Sequence, residues 1–111
     1  MNILIEAPFK ISQEDKAIIR SKIQYLNRYQ NRIIQINVFF KRDGAHPRNE
    51  IVAEIRVLVP GQHLFADNSD PDAMKAFSRA YSSIKRRVKQ HRNKMREHQS
   101  PIRQFNEMAN N

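Results

Sequence analysis

Apolar and polar positions alternate in four stretches of this chain and fall at helical spacing in two others. In residues 2–7, Ile3 and Ile5 alternate with Asn2, Leu4 and Glu6, which reads as a strand ended by Pro8. Residues 33–42 put Ile34, Ile36, Val38 and Phe40 on one face and Gln35, Asn37, Phe39 and Lys41 on the other. Residues 50–59 turn Ile51, Ala53, Ile55, Val57 and Val59 inward and Glu50, Glu54 and Arg56 outward. A shorter strand over 62–67 runs through Leu64 and Ala66. Turn residues in Asp43–Asn49 and at Pro60-Gly61 separate these last three strands.

The helical stretches carry start signals. Over residues 12–30, Ser12 is the N-cap, and Asp15 approximates a capping box. Ile19, Ile23 and Leu26 share a face, with Ile18, Tyr25 and Tyr29 beside it and Lys16, Arg20 and Asn27 opposite. A second helix opens at Asp70-Pro71-Asp72. There Asp70 caps, Pro71 takes the first helical position and Asp72 complements the positive helix end. Its apolar stripe is Ala73, Phe77, Ala80, Tyr81, Ile84, Val88 and Met95. It is expected to run to about residue 98, where Ser100-Pro101 stops it. The order strand, helix, three strands, helix predicts the α+β class. The expected form is a two-layer β-α-β-β-β-α sandwich, a four-stranded sheet with two helices on one face. Residues 1–98 form one domain and 99–111 a flexible C-terminal tail.

Charge changes this picture from a small sandwich to a polyanion binder. The chain of 111 residues carries a net charge of +9, placed unevenly. Residues 1–74 hold ten Lys/Arg against nine Asp/Glu, whereas residues 75–111 hold ten against two. The second helix carries Lys75, Arg79, Lys85, Arg86, Arg87, Lys89, Arg92, Lys94 and Arg96, with Glu97 as the offsetting acid. Seven of these, Lys75, Arg79, Lys85, Arg86, Lys89, Arg92 and Arg96, share one broad flank. Like charges three and four residues apart repel by a few tenths of a kcal/mol per pair, and a helix made only for solubility would intersperse acids. A bound phosphate backbone relieves that repulsion, and the planar fork of arginine suits phosphate oxygens. Tyr25, Tyr29 and Phe39 have the chemistry to stack on bases, but their spacing assigns them to the edge of the core.

Other functions find little support. No run of about 18 apolar residues can span a membrane, and MNILIEAPFK lacks the basic start and apolar stretch of a secretion signal. The basic helix could lie on a membrane, but its stripe contains alanines, lacks Trp and is needed to cover the sheet. Cysteine is absent, which fits a reducing cytoplasm. Two glycines leave no phosphate-cradling loop. His46, His63, His91 and His98 lack metal-ligand spacing. No catalytic residue, metal, cofactor, membrane or small-molecule substrate is expected, and the chain reads as a cytoplasmic monomer rather than an enzyme.

Three segments resemble one family. MNILIEA, ISQEDKAIIRSKIQYLNRY and DPDAMKAFSRAYSSIKRRVKQHRNK are similar in register and element order to the short ribosome hibernation factors. That family comprises the ribosome-associated inhibitor and the hibernation-promoting factor, also called sigma-54 modulation proteins. The resemblance spans roughly residues 1–98. It implies the β-α-β-β-β-α fold and binding to ribosomal RNA in the small-subunit channel between head and body, where messenger and transfer RNA lie. It places the family's first-helix cations on Lys22 and Arg28, and those of its second helix on Arg86, Lys89, Arg92 and their neighbours. Asp15, Tyr25 and Ser83 depart from the family's pattern; Tyr25 stands where a cation is frequent. The rival reading is a general double-stranded RNA-binding domain, which reads duplex shape. Such domains lack the first strand and cluster their cations at the start of the last helix.

Overall fold

The computed structural model describes residues 2–44 and 50–110, with side chains described as far as residue 95. Residues 45–49 of the predicted loop, His46 among them, lie outside the described residues, as do the side chains of Arg96 and His98. The elements in chain order are β1 (Asn2–Glu6), α1 (Gln13–Tyr25), a 3-10 turn (Leu26–Arg28), β2 (Gln35–Asp43), β3 (Glu50–Val59), β4 (Gln62–Asp70) and α2 (Ala73–Asn110). The four strands form one sheet in the order β1-β2-β3-β4. β1 runs parallel to β2, with Ile3 opposite Ile36, and the other two pairings are antiparallel. This is the predicted α+β sandwich, with the helices on one face.

Period-two burial builds the sheet side of the core. Ile36, Val38 and Phe40 from β2, Ala53, Ile55, Val57 and Val59 from β3, and Leu64 and Ala66 from β4 are all buried. Ile19, Ile23 and Leu26 cover them from α1 and the turn after it, and Ala76, Phe77, Ala80, Tyr81, Ile84 and Val88 cover them from α2. Ile34 is a correction. It is 49% exposed, and Ile33 is buried instead, because β2 begins only at Gln35, after a turn at residues 31–32.

Three boundaries also differ from the sequence reading. The first helix tightens into a 3-10 turn after Tyr25 instead of continuing to residue 30, a common way for a helix to end. β4 extends to Asp70 rather than stopping at residue 67. Asp67, Asn68, Ser69 and Asp70 are weak strand formers, yet they pair with Glu54, Ala53, Val52 and Ile51, so sheet pairing overrides their propensity. With Asp70 inside the strand, the cap of α2 is Asp72, not Asp70. Its Oδ1 accepts from the amides of Met74 at 2.8 Å and Lys75 at 3.3 Å, while Asp70 accepts from the amide of Asp72 at 2.9 Å. Asp72→Ala is therefore expected to destabilise the fold by about 1 kcal/mol in urea denaturation, with Asp72→Asn close to wild type.

α2 does not stop at Ser100-Pro101 but continues to Asn110. The proline ring fixes φ at a helix-compatible value, so the chain can carry on, at the loss of one backbone hydrogen bond and roughly 3 kcal/mol. The predicted Ser12 N-cap does hold at α1, where the amide of Asp15 donates to Ser12 Oγ at 3.1 Å. At the β3–β4 hairpin, Gly61 takes φ 77° directly after Pro60, as a two-residue turn of this sequence requires.

Candidate nucleic-acid interface

The uncovered sheet face and the helical face have opposite electrostatic characters. On the sheet face, Glu54 is only 7% exposed although it points away from the core. Lys41 Nζ donates to its Oε1 at 2.6 Å, and Arg56 lies 3.8 Å from Oε2. Arg56 in turn sits 5.7 Å from the Phe39 ring centre and 5.6 Å from that of Phe65. The cations of that face are thus tied to an acid and to rings, and Phe39 serves there rather than at the core edge.

The helical face has few acids and many cations. α2 turns Phe77, Ile84 and Val88 into the core, which forces its basic positions onto the solvent flank and the seam with α1. At that seam the cations rest on tyrosines. Lys22 Nζ lies 5.5 Å and Lys85 Nζ 5.9 Å from the centre of the Tyr81 ring. The Arg28 guanidinium lies 4.7 Å over Tyr25, and Lys89 Nζ lies 4.7 Å over Tyr29. Such contacts contribute roughly 0.5–1 kcal/mol each at exposed sites and leave the charge available. Four of the predicted site residues, Lys22, Arg28, Lys85 and Lys89, are therefore brought together and held in place.

Arg92 joins them one turn further along. It lines a cleft of about 370 Å³ together with Arg28, Tyr29, Arg32 and His91. Its Nε is buried and has no hydrogen-bond partner among the described residues. Arg32 carried no helical or strand signal in the sequence, and only the fold brings it beside Arg28 and Arg92. The same cleft corrects the apolar stripe of α2. Met95 is 45% exposed at its rim, and His91 is buried in its place. His91 Nδ1 lies 3.2 Å from Gln30 Nε2. This is the end of the sheet, marked by Pro60 in the cleft wall, so the turn of α2 that carries Met95 has no strand to cover.

Lys75, Arg79 and Arg86 lie outside this seam. Arg86 and Lys75 are exposed on the solvent flank. Arg79 is 3.5 Å from Asp70, so an acid at the end of β4 offsets one cation that the sequence left unpaired. Most of the Arg79 side chain faces solvent, and a pair of that kind contributes little to stability.

Tyr81 records the crowding at the seam. Burial, and then the neighbouring Tyr29 and Tyr25, raise its hydroxyl pKa above the usual 10.0. The folded state therefore favours the neutral phenol. Its contribution to stability is complete below pH 10.0 and is lost as pH rises through the higher folded value. In an alkaline absorbance titration, Tyr81→Phe is expected to remove a phenolate step that lies above pH 10.0.

Among the described residues no helix is long and apolar enough to cross a membrane. Residues 7–96 match the family described as Sigma 54 modulation protein / S30EA ribosomal protein. Two solved structures share the fold. The N-terminal domain of Thermus thermophilus Protein Y is 23% identical with a TM-score of 0.65, over 81% of this chain and 94% of that one. A ribosomal subunit interface protein from Coxiella burnetii is 18% identical with a TM-score of 0.69, over 84% of this chain and 99% of that one. No curated protein sequence matches the chain significantly.

Proposed function

The chain belongs to the Sigma 54 modulation protein / S30EA ribosomal protein family, and from that premise we propose that it binds the small ribosomal subunit and halts translation. It occupies the channel where messenger and transfer RNA meet, and it excludes both by bulk and by competing for the same phosphates. It acts as a monomer in the cytoplasm, and no bond is made or broken.

The observation that carries this reading is the cationic seam. Lys22, Arg28, Lys85, Lys89 and Arg92 come from α1, the 3-10 turn after it and α2 on one core, and among the described residues their contacts are with rings, a cleft and solvent rather than with carboxylates. Lys75, Arg79 and Arg86 extend the positive field along α2, and Arg96 is assigned to the same surface from its place in the sequence. A surface of this kind releases the counterions of a polyanion, so its affinity falls steeply with salt. The ribosomal subunit interface protein of similar fold is consistent with this partner.

Co-sedimentation with ribosomes tests the reading. With six to ten phosphate contacts, attachment should weaken by roughly 10³–10⁵ between about 50 and 200 mM salt, and translation in vitro should stop at stoichiometric protein. Failure to sediment with ribosomes at low salt would end the proposal. Equal affinity for free duplex RNA would favour the general duplex reader instead.

A further inference from the structure

All three tyrosines of the chain, Tyr25, Tyr29 and Tyr81, meet at the seam between the helices. Two of them have a structural reason to be there. Tyr81 is buried in the core, and Tyr29 packs against it. Tyr25 belongs neither to the core nor to the residues packed on it, and the residue is 45% exposed. It projects from the last turn of α1 with the Arg28 guanidinium 4.7 Å from its centre. Tyr29 stands nearly edge-on to it, at 5.8 Å and 65°.

From this arrangement we propose that Tyr25, backed by Arg28 and Tyr29, is a stacking site for an unpaired nucleobase. The inference rests on the ribosome-binding reading and deepens it, since it makes one contact of the seam with a base rather than a phosphate. A flat, half-exposed ring within a field of cations fits a ligand that is itself flat and carries flanking negative charge. A nucleotide in a single-stranded or bulged segment has both properties. Lys22 and Lys89, held over the adjoining tyrosines, are placed to meet phosphates on either side of such a base. Bases inside a duplex are already stacked on one another, so the site selects unpaired nucleotides.

The test compares two probes, a short oligoadenylate and a short RNA duplex, against the full chain and its Tyr25 variants at several salt concentrations. Tyr25→Ala is expected to weaken oligoadenylate binding about 5- to 100-fold. It should change duplex binding by less than about twofold and leave the dependence of log affinity on log salt unaltered, because no ionic contact is lost. Tyr25→Phe should bind like the wild type. Tyr25→Lys adds a positive charge yet should stay as weak as Tyr25→Ala. Because the chain lacks Trp, its emission comes from these tyrosines, and oligoadenylate should quench the wild type more than Tyr25→Ala. Thermal melts of the variants should match the wild type, since Tyr25 lies outside the core.

Three results overturn the proposal. They are undiminished oligoadenylate binding by Tyr25→Ala, restored binding by Tyr25→Lys, or no measurable oligoadenylate binding by the wild type at low salt. Failure of the chain to sediment with ribosomes would refute the ribosome reading but leave the oligoadenylate comparison standing, so the two outcomes are distinguishable.

Discussion

Replacing Arg86, Lys89 and Arg92 together with glutamine is expected to reduce attachment to small ribosomal subunits on the order of a hundredfold or more, and to lower the salt slope by about 3. The three positions sample three environments. Arg86 is exposed, Lys89 is anchored over Tyr29, and Arg92 has a buried Nε with no partner among the described residues. Glutamine preserves most of the aliphatic packing, so the fold should persist, and circular dichroism can verify that it does. The loss should come from fewer displaced counterions and should therefore shrink as salt rises. An undiminished slope would place the phosphate contacts elsewhere on the molecule. Single variants should also differ. Arg92→Gln leaves a smaller group in a cleft that Arg28 and Arg32 share, whereas Arg86→Gln removes one exposed charge and little else.

Phe77→Ala is expected to destabilise the domain by about 3–5 kcal/mol. Phe77 is 1% exposed and heads the fully buried side chains by size. Its ring lies 6.0 Å from that of Tyr81 and bridges the first turns of α2 to the sheet. Domains of this size have roughly 5–15 kcal/mol of total stability, so the variant should melt on the order of 15 °C lower or more, or fail to fold. The consequence for binding is indirect but large. α2 is held mainly by its apolar stripe, with the Arg79–Asp70 pair and the Gln30–His91 contact as lesser ties, and loosening that stripe lets the basic flank drift from the seam it forms with α1. Ile84→Val at the same interface removes one methylene and should cost only about 1 kcal/mol, which separates packing from charge in a melting experiment.

Most of the architecture is legible in the sequence, because burial imposes a period of two on Ile36, Val38 and Phe40 and on Ile55, Val57 and Val59. What the sequence hides is what depends on where one element ends against another. Asp70 and Asp72 are equally good caps two residues apart, and the choice is made by Ile51, which pairs with Asp70 and draws it into β4. Met95 continues the helical stripe correctly by period, but the sheet has ended by then and leaves it exposed. The candidate cations follow from helical spacing and from the family resemblance. Their surroundings do not, since Arg79 meets Asp70, and Arg32 comes to line one cleft with Arg92, across gaps in sequence that only the fold closes. Tyr25 differs from Tyr29 by one helical turn, too little for periodicity to separate a core ring from an exposed one.

The last strand of the sheet has a consequence for the chain in concentrated solution. An outermost strand offers its unpaired backbone groups as a template for a neighbouring molecule. Here the end of that strand is Asp67, Asn68, Ser69 and Asp70, where two like carboxylates and two poor strand formers meet any approaching copy. Strand exchange and fibrillar aggregation along that stretch of the edge are therefore disfavoured.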